Sequence, residues 1–201
     1  MNISNSFVTP TNILSIMQEH NVPKDLFLLK IDIDGYDLDV IREIMKSDYK
    51  PILFICEINE KIPPPMCFEI PYNSEYKWDY SHCFGFSLQS GRDVFESGDY
   101  YIVKLYEMNN IICVRKDQKH IFPEYDFPRN IKDMYQNEYI NNTLREKSFP
   151  WNKDVDHWLI IEDTQQLNDS IEHYFTKNNI RSTFKNKNKT LNKDFLLYYN
   201  E

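Results

Sequence analysis

Two short acidic clusters are the first features of this chain that suggest chemistry. Asp32, Asp34 and Asp37 close or follow the apolar run Leu26-Phe27-Leu28-Leu29-Lys30-Ile31-Asp32-Ile33. Glu57, Asn59 and Glu60 do the same for Pro51-Ile52-Leu53-Phe54-Ile55-Cys56-Glu57-Ile58. Two carboxylates and an amide suit a hard divalent cation such as Mg²⁺, and Asp34, Glu57 and Asn59 are the set expected to hold it. The same groups can instead orient a substrate hydroxyl, with Asp34 as general base. A purely structural use competes with both, because a carboxylate just before Gly35 can cap the next helix. If the strand continues through them, Asp32 and Asp34 are expected on opposite sides of the sheet, Asp34 the more exposed and Asp32 a substrate contact. His82 is a second candidate base or a hydrogen-bonded loop residue. Trp78 and Tyr80 either line a substrate pocket or anchor the loop that carries them.

These groups converge only if the elements beneath them are arranged suitably. Both apolar runs read as strands covered on two faces. Between them Leu38, Val40, Ile41, Ile44 and Met45 recur at helical spacing. Strand, helix and strand make a β-α-β unit with a parallel pair, whose C-terminal ends lie about 5 Å apart and form the usual ligand edge of an α/β sheet. Upstream, Thr9-Pro10-Thr11 opens a helix, with Thr9 as cap, ending near His20-Asn21. Residues 59–82 read as a long irregular loop, rich in proline and aromatics and packed as a lid. Phe84 to Phe95 reads as a helix. Tyr100–Tyr106 and Asn110–Arg115 read as an antiparallel hairpin.

Residues 1–116 thus form an α/β half-domain, and 117–201 an α-rich, partly flexible extension with helices near Asn130–Leu144 and Thr164–Lys177. Trp151 and Trp158 mark the extension as packed against something. The stretch 185–193 is of low complexity and is expected to be mobile.

Composition narrows the functions. The only glycines are Gly35, Gly85, Gly91 and Gly98, so neither a Walker-type phosphate loop nor a G-x-G-x-x-G fingerprint is present. Net charge is −8, which argues against broad nucleic-acid binding. A basic run (Lys177, Arg181, Lys185, Lys187, Lys189, Lys193) reads as a solvated terminal segment or a contact for an anionic partner. The four cysteines form no C-x-x-C pair, so zinc and a disulfide framework are not expected; Cys56 and Cys113 read as core residues. No leader pattern is visible, and no apolar run approaches the roughly 18 residues of a membrane span, so a cytoplasmic location is expected.

Val22-Pro23-Lys24-Asp25-Leu26-Phe27-Leu28-Leu29-Lys30-Ile31-Asp32-Ile33-Asp34-Gly35-Tyr36-Asp37 resembles the strand-four region of FkbM-related S-adenosylmethionine-dependent methyltransferases. Glu57-Ile58-Asn59-Glu60-Lys61-Ile62-Pro63-Pro64-Pro65, Ile70-Pro71-Tyr72, Trp78-Asp79 and Phe84-Gly85-Phe86-Ser87-Leu88 are similar to a bacterial and viral subgroup of that family. The resemblance implies the second half of a class I methyltransferase domain: strands four and five, then the hairpin of strands six and seven. It implies Mg²⁺ and substrate-hydroxyl contacts at Asp34, Glu57 and Asn59, and O-methylation of a sugar or small metabolite. It also places the strands and glycine-rich turn that hold S-adenosylmethionine before this chain's start. The first strand is then an exposed edge, covered by residues 117–201, by a second copy or partner subunit, or by an upstream part of a longer product.

Two other functions fit the sequence. Asp32-Ile33-Asp34 resembles the Asp-x-Asp metal motif of nucleotide-sugar glycosyltransferases, and a non-catalytic binding or assembly module derived from a methyltransferase fits the missing glycine loop.

Overall fold

The computed structural model describes residues 4–178, 184–186, 189–191 and 195–199. Its first sheet contains β1 (Leu28–Ile31), β2 (Leu53–Glu57), β4 (Tyr100–Tyr106) and β5 (Asn110–Arg115), in the order β1-β2-β5-β4. β1 and β2 are parallel; β5 runs against both β2 and β4. The mixed α/β class, the parallel pair and the hairpin agree with the sequence reading. The hairpin turns through Glu107 and Met108, both left-handed (φ 51° and 70°), which matches the twist of its strands.

Helices α1 (Ile13–Glu19), α2 (Asp37–Lys46) and α3 (Leu88–Ser97) pack in succession, α1 on α2 and α2 on α3, while α3 packs on β4. α2 sends Leu38, Val40, Ile41 and Ile44 into the core, as its spacing predicted. The Phe54 ring lies edge-on to Phe95 and Tyr100, at 5.3 and 5.1 Å between centroids.

Several boundaries differ from expectation for identifiable reasons. α1 starts at Ile13 because Thr9–Asn12 forms a turn, with Asn12 Oδ1 accepting from the Thr9 N–H at 2.7 Å. α3 starts later than Phe84 because Gly85 is left-handed (φ 58°) and Ser87 is the cap, its Oγ accepting from the Ser90 N–H. β1 is not covered on both faces: Leu28 and Lys30 are exposed and only Ile31 is buried.

The largest correction concerns the long loop and the extension. Residues 59–82 contain β3 (Cys67–Glu69), which is wholly buried. β3 pairs with β8 (Leu196–Tyr198), and β6 (Phe184–Asn186) and β7 (Lys189–Leu191) complete a second antiparallel sheet, β3-β8-β7-β6. The extension is therefore not only helical. The expectation of mobility for 185–193 falls on β6 and β7 and on residues outside the described set, as does most of the basic run.

The extension's helices are α4 (Ile131–Tyr135), α5 (Arg145–Ser148) and α6 (Thr164–Lys177). The helix expected over 130–144 is α4 followed by a π-helical turn to Ile140. α6 is capped by Asp163, which accepts from the Gln166 N–H at 2.7 Å. Loop and extension share a second core: Phe68 packs between Phe175 and Phe195, and Trp158 is fully buried against Tyr174 and Phe175. Trp158 thus packs as expected, whereas Trp151 is 57% exposed.

Candidate functional site

In the parallel pair, Lys30 stands opposite Ile55 and Ile31 opposite Cys56, so both acidic clusters leave from one edge of the sheet. The turn after β1 is closed by Asp37, whose carboxylate accepts from the Ile33 and Gly35 N–H groups at 2.9 Å each. The capping use open to Asp34 in the sequence therefore falls to Asp37. Asp34 itself is left-handed (φ 54°), and its exposed carboxylate faces the end of β2.

Carboxylate oxygens of Asp32, Asp34 and Glu57 all lie within 4.8 Å of one another. The sequence reading separated Asp32 from Asp34. β1 ends at Ile31, and residues two apart share a strand face in any case, so the two carboxylates come together. Lys30 pairs with Asp32 at 2.8 Å, and the Asn109 amide donates to Glu57 Oε1 at 2.9 Å.

The close packing of like charges disturbs their titration. Burial, and then the charges of Asp32, Asp34, Asp37 and Glu60, push Glu57 up to about 8. Burial and Asp32 also raise Asp34, while a hydrogen bond with Glu57 opposes that rise. Near neutral pH these carboxyl groups retain a proton between them. Asp37 is pushed up to about 6, burial outweighing its backbone hydrogen bonds.

Asn59 was expected among the cation ligands. It is instead fully buried, its amide nitrogen donating to the carbonyls of His82 (2.8 Å) and Phe84 (3.0 Å). It ties the loop to the end of β2, because unpaired loop carbonyls in the interior need a donor. The oxygen set in the structure is Asp32, Asp34 and Glu57.

Tyr76 makes a second tie, its hydroxyl donating to the carbonyls of Asp34 (3.2 Å) and Cys83 (3.3 Å). Its ring occupies the space where a Cβ on Gly35 would lie, 2.7 Å from Tyr76 Cε1. Gly35→Ala should therefore displace Tyr76 and lower stability by about 1–3 kcal/mol, measured by urea denaturation.

Trp78, Tyr80 and His82 line one cavity of about 480 Å³ together with Lys61, Phe84, Trp151, Asp154 and Tyr174. Asp32, Asp34 and Glu57 are not among the residues that line this cavity. His82 is half-buried, and burial and the Lys61 charge both lower its pKa, favouring the neutral ring. A second cleft of about 470 Å³ includes Glu107, Met108 and Asn109 of the hairpin turn with Leu144 and Phe149 of the extension. Asn109 connects this cleft to Glu57.

No pattern of residue type or spacing points to Lys61. Its side chain is 2% exposed, 3.3 Å from the equally buried Glu60 and 4.2 Å from the Phe84 ring centroid. Glu60 Oε1 also accepts from Asn152 at 2.7 Å. Trp151, Asp154 and Tyr174 were equally illegible as cavity residues, because they reach it only through the second core.

Comparison of the chain with protein-family models, with curated proteins and with solved structures finds no match.

Proposed function

We propose that this chain is related to S-adenosylmethionine-dependent O-methyltransferases and uses Asp32, Asp34 and Glu57 to place a divalent cation against a hydroxyl of a sugar or small metabolite. The observation that carries the reading is the gathering of three carboxylates at the C-terminal ends of two adjacent parallel strands. The strand order β1-β2-β5-β4, with β5 alone reversed, supports it, being the order expected for strands four, five, seven and six of a class I methyltransferase.

The donor set fits Mg²⁺: all oxygen, multiply anionic and open to the waters this ion retains. Bound there, the cation would lower the pKa of an acceptor hydroxyl. The chain's own groups would orient that hydroxyl and take up its proton, with the exposed Asp34 as base and Asn109 holding Glu57 in place. The separate cavity of Trp78, Tyr80 and Trp151, with His82 among its polar lining groups, offers aromatic faces suited to a sugar ring.

The residues present do not fit S-adenosylmethionine. Gly35 is closed over by Tyr76, Gly91 by Phe86 and Gly98 by Met45, and no glycine-rich loop precedes a helix. No step is derived through the donor, and catalysis would require a donor site from another polypeptide segment.

Calorimetric titration with Mg²⁺ tests the cation reading. Binding must displace the proton retained by the carboxyl groups, so affinity should rise by roughly one to two orders of magnitude between about pH 6 and about pH 8.5. Without cation the sign reverses for stability. Glu57 is raised above its unfolded value, so its contribution is fully present below about 4.5 and is lost as pH climbs through about 8. Failure to bind Mg²⁺ or Mn²⁺ at the higher pH would overturn the reading. The joint presence of Asp32 and Asp34 in the cluster also favours the glycosyltransferase alternative. Tighter Mn²⁺ binding with a nucleoside diphosphate sugar would select that alternative.

A further inference from the structure

We infer that residues 29–33, the end of β1 and the two residues after it before the left-handed Asp34, pair with the same segment of a second copy of this chain, in antiparallel register centred on Ile31. The inference is independent of what the carboxylates bind. β1 is hydrogen-bonded only to β2, and among the described residues no strand lies on its other side. Leu53 N–H donates to Phe27 O at 2.9 Å, which sets the ladder so that the odd-numbered residues of β1 bond to β2. The backbone groups of Leu28 and Lys30 therefore point outward. Phe27 is 60% exposed and Leu28 44%, and β1 has no proline or bulge to discourage pairing.

Charge decides both occupant and register. In an antiparallel homodimer, outward-pointing residues face one another across the two-fold axis. A register centred on Lys30 would set Lys30 against Lys30, and one centred on Leu29 would set Lys30 against Leu28. Centring on Ile31 sets Lys30 of each copy against Asp32 of the other, with Leu29 against Ile33. Opposite charges in such pairs are favourable and like charges unfavourable. The strand is thus self-complementary: Lys30 and Asp32 already meet at 2.8 Å within one copy, and pairing joins the two ion pairs into a four-charge group. The two sheets become one of eight strands, since each contributes four. The second copy also adds a cation beside Asp32, a member of the carboxylate group, so assembly and site are adjacent.

Sedimentation of the full chain tests this, with circular dichroism to verify folding. The wild-type chain should be a dimer, and Lys30→Glu should weaken it roughly tenfold or more by placing carboxylates face to face. Lys30→Glu combined with Asp32→Lys should restore the dimer, because the exchanged charges still face each other only in the Ile31-centred register. A monomeric wild-type chain would overturn the inference and leave the edge to a different partner. A dimer indifferent to Lys30→Glu, or unrestored by the exchange, would overturn the interface.

Discussion

Asp34→Asn should weaken Mg²⁺ binding by roughly 100-fold, or about 2.8 kcal/mol, while the chain stays folded. Asp34 is exposed, and it does not close the β1–α2 turn, which Asp37 does with its two backbone hydrogen bonds. The substitution therefore removes a negative ligand without removing a cap. It also removes one of the charges that raise Glu57, so the remaining weak binding should lose part of its pH dependence. Glu75→Gln, on the same loop as Tyr76 and outside the carboxylate group, serves as the charge control and should leave affinity unchanged. Equal affinities for Asp34→Asn and wild type, measured by calorimetry at about pH 8.5 on the alkaline side of Glu57, would remove these carboxylates as the cation site.

The second large effect concerns stability. Lys61→Met should destabilise the fold by about 3–5 kcal/mol, because it leaves the Glu60 carboxylate buried without its cation. Asn152 and its bond to Glu60 would remain, but one neutral donor does not replace an ammonium group. Adding Glu60→Gln should recover most of the loss, since a glutamine oxygen can still accept from Asn152 and no buried charge is left. A double-mutant cycle by urea denaturation gives the coupling directly. Additive losses in the two single variants would show that the ion pair is not what holds this region. Burial lowers the pKa of Lys61 while the Glu60 charge opposes that shift. The site is more than a packing detail, because Lys61 also lines the aromatic cavity.

The first sheet was legible because its signals are local. Apolar runs of strand length, a helical repeat between them and two acidic ends are enough to place β1, α2 and β2, and a β-α-β unit admits essentially one handedness. The approach of Asp34 to Glu57 followed from that unit. By contrast, Asn59 could not be assigned from its position beside Glu57. Whether an amide at a strand end binds a ligand or a carbonyl depends on which backbone lies above it, here that of His82 and Phe84.

The chain's own residue order thus determined the parallel pair, the hairpin and the acidic edge, each of which is signalled by local runs and spacings. Tertiary structure decided the rest. Cys67–Glu69 is a strand because Leu196–Tyr198 pairs with it from far along the chain, with Phe86 bridged to Glu69. Asp37, rather than Asp34, closes the turn because a left-handed residue at 34 brings the Asp37 carboxylate under the Ile33 and Gly35 N–H groups. Lys61, beside its neighbour Glu60, is buried where the sequence-distant Phe84 ring covers its ammonium group. In each case the deciding partner is distant in sequence or set by backbone geometry, and periodicity carries no record of either.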